Sequence, residues 1–488
     1  MRTFLSFLLI FTLYLINGSL AEATDPSANQ LIIKFKDSTS STQKQTIFQT
    51  VHADELSTIE NGNFSLISLP EGSDINTAAA TLSTFQQVEL VDRNYEVTPN
   101  HTPSDPYYSK QWHLKKINMP KAWNVTFGSP DIKVAVIDAG VQTSHPDLKA
   151  HILAPYNALT GGKSIPASTH GTHVAGIIAA SMNKTGITGI APKVKIIPIN
   201  VFEGEEADIY TVVDGIDYAV QAGADIINLS LTTEDYTDVL DYAVQEAYKK
   251  GVIVVAAAGN DNTSRLQYPA SHKHVIAVSA TTQKDTRAAF SNFGSYIDLA
   301  APGVDIYSTV PKGRYAKDSG TSMAAPTVSG ACALILSKNP FLTPTEVENI
   351  LKKSSVDLGA KGRDKYYGYG RIDAYAALKQ TPALPMSKLK LSSRTIAFNG
   401  KNNLSLSFSA KKGTKISLYI KNAKGQVIRR LVTNKAWTGG TYTRKWDGKT
   451  DSGSFAPSGQ VRISAKMSNG KHSVYRVAYV TVRNTVNK

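Results

Sequence analysis

The chain has 488 residues, too many for one ordinary hydrophobic core, so we expect two or three folded domains. Hydrophobic residues make up 42% and charged residues 19% of the sequence, which excludes an intrinsically disordered chain and a protein with many membrane spans. The net charge of +14 is unevenly distributed, because the basic excess lies near the C-terminal end.

The first residues have the layout of a secretion signal. Arg2 precedes an apolar stretch at 4–16, and the small-residue pattern Ser19-Leu20-Ala21 follows it. This stretch is shorter than the roughly 20 residues that a membrane-spanning helix needs. We therefore expect a signal peptide over 1–23 and a protein that is secreted, extracellular or associated with the cell envelope.

Residues 24–104 have the pattern of a small α+β domain. Residues 31–36 and 64–69 resemble strands, and polar helical stretches separate and follow them. Pro103 and Pro106, next to a polar run, mark the junction to the following domain.

Residues 105–384 alternate short β-branched runs with longer helical patterns. Runs that are apolar on both faces and alternate with helices predict an α/β domain, a parallel sheet sandwiched by helices. Active sites in such sheets gather at the carboxyl ends of the strands. Strands are predicted at 134–137, 194–199, 225–229, 252–255 and 275–278, and helices at 210–222, 237–250 and 322–337.

Residues 385–488 return to strand-like alternation, as at 415–420 and 473–480, and predict an all-β sandwich. From Leu384 onward, 21 Lys and Arg stand against two Asp, a net charge of +19, and the preceding residues carry −5. Such asymmetry favours an anionic partner, for which we expect a cell-envelope polymer and no nucleic acid. A merely solubilising surface is the open alternative.

Four separated residues provide the groups that amide hydrolysis requires. Asp138 ends an apolar run, His170 begins a glycine-containing helical segment, and Ser322 lies where a glycine turn leads into a helix. These can supply an orienting carboxylate, a base and a nucleophile. Asn260 follows another buried run, where its amide can donate to the oxyanion that forms. Pro326 is expected within the first turn of the helix after Ser322.

Each residue taken alone has an ordinary explanation. Asp138 and Asn260 can serve in turns, and Ser322 can cap a helix. The His170-x-x-His173 pair can suggest zinc, but the glutamate that follows the first histidine in metalloprotease helices is missing. The single cysteine, Cys332, lies in an apolar run and is expected to be a buried structural thiol.

Together, these segments resemble the subtilisin-like serine peptidases, the subtilases, over roughly 105–377. The chain order Asp, His, Ser is the known order of subtilisin. The resemblance implies that Asp138 orients the imidazole, His170 is general base and then general acid, and Ser322 is the acyl-forming nucleophile. Asn260 and the Ser322 N–H would form the oxyanion hole. The matching segments are 138–140, 170–176, 259–260 and 320–326.

The resemblance also implies a set of substrate-binding residues. The sequence departs from the family pattern at Ala139 and Thr327, neither of which belongs to the triad. Thr232 and Thr233 replace the glycines usual after Ser-Leu, which predicts a narrowed primary specificity pocket. The implied substrate-binding residues are Ser230, Leu231, Thr232, Ala257, Gly259 and Gln267.

Three polar segments resemble the calcium-binding segments of the family. The implied ligands are Asp147, Asn183 and Asp105, whose oxygens suit this hard cation. The alternative is that these side chains only close loops.

The flanking domains have resemblances of their own. The segment before Asp105 resembles an inhibitor-type propeptide, which implies a folding template and temporary inhibitor, with self-cleavage between Tyr95 and Asp105. Residues 415–466 are similar to the immunoglobulin-like domain of flagellar-hook capping proteins.

The resulting expectation is a monomeric, broad-specificity endopeptidase acting on proteins or peptides. The rival hypothesis is an inactive protease-like scaffold that binds an envelope polymer. The acidic run at 203–206 favours basic residues a few positions before the cleaved bond.

Overall fold

The computed structural model describes residues 29–70, 72–95 and 102–484. The chain divides into two compact units, Met1–Pro99 and Asn100–Lys488. The expected signal peptide lies outside the described residues. Within those residues, no helix combines the length and the apolar character needed to cross a bilayer.

The N-terminal unit is an antiparallel sheet of four strands in the order β2-β3-β1-β4, with two helices. Alternation in β1 buries Leu31, Ile33 and Phe35 against the helices, so this α+β prediction is confirmed. Ser40 and Gln43 form a capping box at the start of α1. The elements are β1 Gln30–Phe35, α1 Ser41–Gln49, β2 Asp54–Ile59, β3 Phe64–Ser68, α2 Ile75–Leu82 and β4 Val88–Arg93.

The central domain contains a seven-stranded parallel sheet in the order β11-β10-β9-β8-β5-β7-β6. Its elements are α3 Trp112–Lys116, α4 Met119–Trp123, β5 Lys133–Asp138, β6 Tyr156–Asn157, α5 Thr169–Ala179, β7 Lys195–Asn200, α6 Ile209–Gln221, β8 Ile226–Leu229, α7 Asp238–Lys249, β9 Ile253–Ala257, β10 Val275–Thr281, β11 Leu299–Pro302, β12 Ile306–Val310, β13 Arg314–Asp318, α8 Thr321–Lys338, α9 Pro344–Ser354 and α10 Ala374–Gln380. The five predicted strands and three predicted helices are confirmed to within a few residues.

Both faces of this sheet are buried. In β5, Val134 and Val136 join the core that contains α5 and α8, whereas Ala135 and Ile137 join the core that contains α6 and α7. In the sheet, β5 lies between β7 on one side and β8 on the other. The chain after β5 first forms β6 and β7 on one side and then crosses to form β8 on the other. The carboxyl end of β5 is therefore a topological switch point, the place where open α/β sheets bind ligands.

The C-terminal domain is the predicted sandwich of two sheets, in the orders β14-β16-β19 and β15-β21-β20-β17-β18. Inward side chains, including Phe398, Phe408 and Trp446, fill the space between the sheets. The strands are β14 Lys390–Leu391, β15 Thr395–Phe398, β16 Leu404–Ala410, β17 Lys415–Lys421, β18 Val427–Ala436, β19 Gly440–Trp446, β20 Gly459–Ser468 and β21 Ser473–Asn484.

The sandwich is attached to the central domain through a buried carboxylate. Asp225, 3% exposed, precedes β8 at the amino-terminal edge of the parallel sheet. Its Oδ1 lies 2.7 Å from Lys471 Nζ and 2.8 Å from His472 Nε2, both on the β20–β21 hairpin. Phe341 of the central domain packs into the sandwich core. This attachment therefore lies at the opposite edge of the sheet from the switch point.

Candidate active site

Asp138 and His170 form a close pair at the switch point. Asp138 is the last residue of β5 and is 2% exposed, and both of its carboxylate oxygens lie 2.9 Å from His170 Nδ1. His170 stands in the first turn of α5 beside Gly171. A Cβ on Gly171 would lie 2.1 Å from Gly140 O and 2.9 Å from Asp138 Oδ1, so only glycine allows this close approach.

The electrostatics favour a protonated Nδ1 on His170. Burial alone would lower the pKa of His170, but the charge and hydrogen bond of Asp138, together with the charge of Asp318, raise it overall. A carboxylate on Nδ1 selects the tautomer with its proton there and leaves Nε2 as an acceptor. The imidazole is thus prepared to accept a proton at Nε2.

His173, one turn further along α5, has different partners. Its Nε2 lies 2.9 Å from Ile306 O and 3.2 Å from Ala316 O, on the β12–β13 hairpin. Burial lowers its pKa, which disfavours the charged form of the ring. The two histidines therefore serve separate contacts, and no cluster of three or more His, Cys, Asp or Glu suited to a metal occurs within the described ranges.

Ser322 lies in the first turn of α8, after Gly320 at the N-cap. The hydroxyl donates toward Ser230 O at 3.4 Å, and no hydrogen bond joins it to His170 among the described residues. The roles that the resemblance implies, His170 as general base and Ser322 as nucleophile, require the hydroxyl and the imidazole to come into contact. Such bonds are often long in unliganded sites and tighten when substrate binds.

Pro326 lies in the second turn of α8, so its predicted place in the first turn is wrong. Proline has no N–H, so the helix cannot provide the usual bond to the carbonyl of Ser322, four residues earlier. Ser230 Oγ donates to that carbonyl instead, at 3.0 Å. Asn228 and Ser329 continue the buried chain, since Ser329 donates to Asn228 and Asn228 donates to Ser230, each at 2.9 Å. This network fixes the backbone beneath the Ser322 hydroxyl.

The Asn260 amide is held in one orientation. Its Oδ1 accepts from Thr321 N at 2.9 Å and from Thr321 Oγ1 at 3.0 Å, which leaves Nδ2 for the cleft. A Cβ on Gly320 would lie 3.6 Å from both Asn260 Nδ2 and Ser322 N. Two N–H donors therefore border one small space at the start of α8, and paired donors of this kind are what an oxyanion requires.

The residues predicted to bind substrate fall into two groups. Gly259 and Gln267 are neighbours, because a Cβ on Gly259 would lie 3.3 Å from Gln267 Cγ, and Ala257 is buried in β9 close by. Leu231 and Thr232 instead line a cavity of about 350 Å³. Other lining residues include Thr233, Glu205, Glu206 and Asp208.

Asp105, Asp147 and Asn183 meet around one loop. Asn183 N donates to Asp105 Oδ1 at 3.0 Å, and Asn183 Nδ2 donates to Asp147 Oδ1 at 3.3 Å. Tyr315 Oη donates to Asp147 Oδ2 at 2.9 Å. Asp105 Oδ2 is buried and has no hydrogen-bond partner, and burial raises the pKa of both carboxyl groups. Two buried carboxylates with an unused oxygen fit a hard cation such as calcium.

Comparison with known proteins decides the family. The Subtilase family model matches residues 129–370. A thermophilic serine proteinase from Bacillus sp. strain AK1 is 36% identical over 353 residues, which cover 72% of this chain and 87% of that protein. The chain belongs to the subtilase family.

Other relatives give this subtilase the same assignment. Thermitase from Thermoactinomyces vulgaris is 41% identical over 286 residues, covering 57% of the subtilase and all of thermitase. A solved structure of a Pseudoalteromonas arctica protease has 32% identity and a TM-score of 0.54, covering 58% of the subtilase and all of that chain. The subtilase is accordingly a subtilisin-like serine endopeptidase.

The flanking domains of the subtilase also match known models. Residues 20–94 match the fervidolysin N-terminal prodomain, and residues 393–471 match the FlgD Ig-like domain. The predicted propeptide and immunoglobulin-like domain are therefore confirmed, and the subtilase is made as a precursor.

Sequence reasoning missed two residues of the subtilase site. Thr321 orients Asn260. The sequence could have indicated this residue, because Thr321 directly precedes Ser322. Asp318 ends β13 and acts on His170 through its charge. Its position depends on the β12–β13 hairpin, which was not predicted.

We expect Asp318→Asn to shift the acid side of the pH–activity profile to lower pH. The Asp318 charge helps to raise the pKa of His170, so its removal lowers that pKa and leaves the imidazole neutral at lower pH. Measuring kcat/KM against pH tests this. Asp305→Asn should leave the profile unchanged. Asp305 is an exposed aspartate next to Ile306, the residue opposite Asp318 in the hairpin, and its carboxylate faces Lys317. An unmoved acid limb in Asp318→Asn would contradict the assignment.

Proposed function

We propose that this subtilase hydrolyses peptide bonds through Asp138, His170 and Ser322, with an acyl-enzyme intermediate. The observation that carries the proposal is the Asp138–His170 pair, 2.9 Å apart, at the carboxyl end of β5. Asn260 follows β9 and Ser230 follows β8 in the same parallel sheet. Because the carboxyl ends of parallel strands share one edge, these groups face one cleft.

The proposed chemistry assigns each group a step. His170 Nε2 takes the proton of Ser322 Oγ as that oxygen attacks the substrate carbonyl carbon. Asn260 Nδ2 and Ser322 N–H bind the negative oxygen that results. His170 then returns the proton to the leaving amine, Asp138 stabilises the imidazolium, and water hydrolyses the ester by the same route.

A burst experiment tests this function. Mixing the mature enzyme with a p-nitrophenyl ester should release one equivalent of p-nitrophenol per enzyme before the slower steady state, because the acyl-enzyme accumulates. Release at a constant rate from the first moment, with substrate in excess over an active enzyme and no covalent intermediate in the mass spectrum, would contradict the acyl-enzyme.

We propose that substrate binds along the edge formed by Ser230, Leu231 and Thr232 on one side and the residues around Gly259 and Gln267 on the other. Thr233 pairs with Tyr268 through two backbone hydrogen bonds of 2.8 Å, which link the two segments. Thr232 and Thr233 carry side chains where the family usually has glycine, which supports a narrowed primary specificity pocket. Such a pocket should accept substrates with a small or slender side chain at the residue before the cleaved bond.

Glu205 and Glu206 should favour basic residues a few positions before the cleaved bond, because they line the cavity beside Leu231 and Thr232. Replacing both with Gln should lower kcat/KM for Lys-containing peptides, relative to Gln-containing ones, by about three- to tenfold. Glu246→Gln on α7, where the carboxylate pairs with Lys249, is the control and should change nothing. An unchanged ratio in the double variant would contradict this specificity.

The proposed domain boundaries are those of the sequence: a signal peptide at 1–23, a propeptide at 24–104, the peptidase domain at 105–384 and the basic sandwich at 385–488. The proposal includes secretion, a monomeric mature enzyme, and self-cleavage between Tyr95 and Asp105. Extracellular relatives such as the minor extracellular protease Epr of Bacillus subtilis, 34% identical over 390 residues, support secretion.

We also propose calcium as a structural ion held by Asp105, Asp147 and Asn183. The ion would neutralise the two buried carboxylates and tie the loop at 183–187 to the start of the domain. Its role is stability rather than a step in catalysis.

Removing calcium with EDTA should lower the melting temperature of the mature enzyme by about 5–10 °C, because the ion binds only the folded state. In Asp147→Asn, this EDTA effect should disappear, since the variant has already lost part of the site. Asp131→Asn, at an exposed position, should retain it. Equal melting temperatures with and without EDTA in the wild type would refute the site.

A further inference from the structure

The outer face of the five-stranded sheet in the C-terminal domain carries exposed aromatic and basic side chains. In β20, Val461 and Ile463 point into the core, so Arg462 and Lys466 point outward. In β21, Tyr475 and Tyr479 are 53% and 54% exposed. We call Tyr419, Lys421, Arg462, Lys466, Tyr475 and Tyr479 the aromatic-basic face.

Strand register places these side chains in one patch. Across β20 and β21, Lys466 is opposite Tyr475 and Arg462 is opposite Tyr479. Across β17 and β20, Lys421 is opposite Arg462. Neighbouring strands lie about 4.8 Å apart, so basic and aromatic groups alternate within contact of one extended ligand. The Lys466 ammonium lies 5.9 Å from the centre of the Tyr475 ring.

The exposed rings argue against a purely solubilising role. The solvent face of an antiparallel sheet is ordinarily polar, and large exposed apolar groups in a cluster mark binding surfaces. Val477, 46% exposed between the two tyrosines on the same side of β21, extends this apolar strip.

The cations of the face have no acidic partner in their own domain. Asp447 and Asp451 are the only acidic residues in the sequence after Leu384, and Asp451 pairs with Arg430 at 2.7 Å. Among the ion pairs of the described residues, none involves Arg462 or Lys466. Both side chains are partly exposed. Their charges can therefore meet an external anion.

We propose that the aromatic-basic face binds an anionic polysaccharide. Tyrosine rings pack against the apolar faces of sugar rings, and the alternating cations pair with carboxylate or phosphate groups along the polymer. A cavity of about 140 Å³ between Tyr479 and Arg462, also lined by Asn422 and Gln460, can accept a sugar hydroxyl group. This inference rests on the expected attraction of the basic sandwich to an envelope polymer and assigns the surface and the ligand chemistry.

The test measures binding of the mature enzyme to polygalacturonate by calorimetry, with neutral dextran and a single-stranded DNA oligomer in parallel. Tyr475→Ser with Tyr479→Ser should weaken polygalacturonate binding about tenfold, and the corresponding double Phe variant should bind like the wild type. Arg462→Gln with Lys466→Gln should weaken it at least tenfold and reduce its salt dependence.

The matched control is Lys401→Gln with Lys445→Gln, two exposed lysines outside the face whose loss removes the same charge. This control should change binding less than about twofold. An equal loss in the control would overturn the face and leave a diffuse attraction by the basic domain. Equal binding of dextran, or tighter binding of DNA, would overturn an anionic polysaccharide as the ligand. Hydrolysis of a short peptide, followed in every variant, should stay unchanged, so failure of peptidase activity is scored separately from failure of binding.

Discussion

Ser322→Ala should lower kcat by a factor on the order of 10⁶, a magnitude known from subtilisin itself. The variant should also accumulate as the uncut precursor, because the same hydroxyl is proposed to cleave the chain between Tyr95 and Asp105. The fold should survive, since the single hydrogen bond that the Ser322 hydroxyl donates within the described part of the chain is a long one, 3.4 Å to Ser230 O. Activity assays, N-terminal mapping by mass spectrometry and the melting temperature measure these effects.

Ser319→Ala is the matched control for this substitution. Ser319 is exposed, lies three residues earlier, and accepts a hydrogen bond from Asp305 N at 2.8 Å. It should retain activity within a few fold and should be processed normally. A Ser322→Ala protein trimmed between 95 and 105 in the absence of any other protease would show that processing is not autocatalytic.

Asn260→Ala should lower kcat by about 10²- to 10³-fold with little change in KM, again the size of effect measured in subtilisin. The reason is that Nδ2 binds the oxyanion, which exists only in the transition state and the intermediate. Separate determination of kcat and KM on a peptide amide distinguishes this from a loss of substrate binding. A raised KM with unchanged kcat would contradict the oxyanion role.

Thr321 provides a graded control for the orientation of Asn260. Thr321→Ser keeps the hydroxyl that donates to Asn260 Oδ1 and accepts from Gly259 N, so kcat should fall only slightly. Thr321→Val removes that hydroxyl and should lower kcat more than Thr321→Ser does. Equal kcat values for the two variants would show that the hydroxyl does not position the amide.

The sequence was sufficient to predict the core of the parallel sheet because its strands are buried on both faces. Val134 to Ile137 and Ile253 to Ala257 form uninterrupted apolar runs that a solvent-exposed strand would not tolerate. Asp138 follows the first run directly, and Asn260 lies three residues after the end of the second. Local pattern therefore predicted the strands that carry these residues, and the resemblance to the subtilases supplied their proposed roles.

Features that depend on contacts between residues far apart in the chain could not be predicted from the sequence. The β12–β13 hairpin, which brings Asp318 near His170, has short and partly exposed strands without a clear alternation. Pro326 is accommodated in the second turn of α8 only because Ser230 Oγ satisfies the carbonyl of Ser322. The contact of His472 with Asp225 joins residues 247 positions apart, and no local pattern encodes it.

Covalent labelling tests the central claim that Ser322 is an activated nucleophile. A fluorophosphonate added to the mature enzyme should modify Ser322 alone, with one label per enzyme molecule. The activity should fall in proportion to the fraction of enzyme that is labelled. Labelling should fall sharply in His170→Ala, which keeps the serine and removes the base that accepts its proton. A label on another residue, or an active enzyme in which Ser322 remains unmodified, would contradict the account.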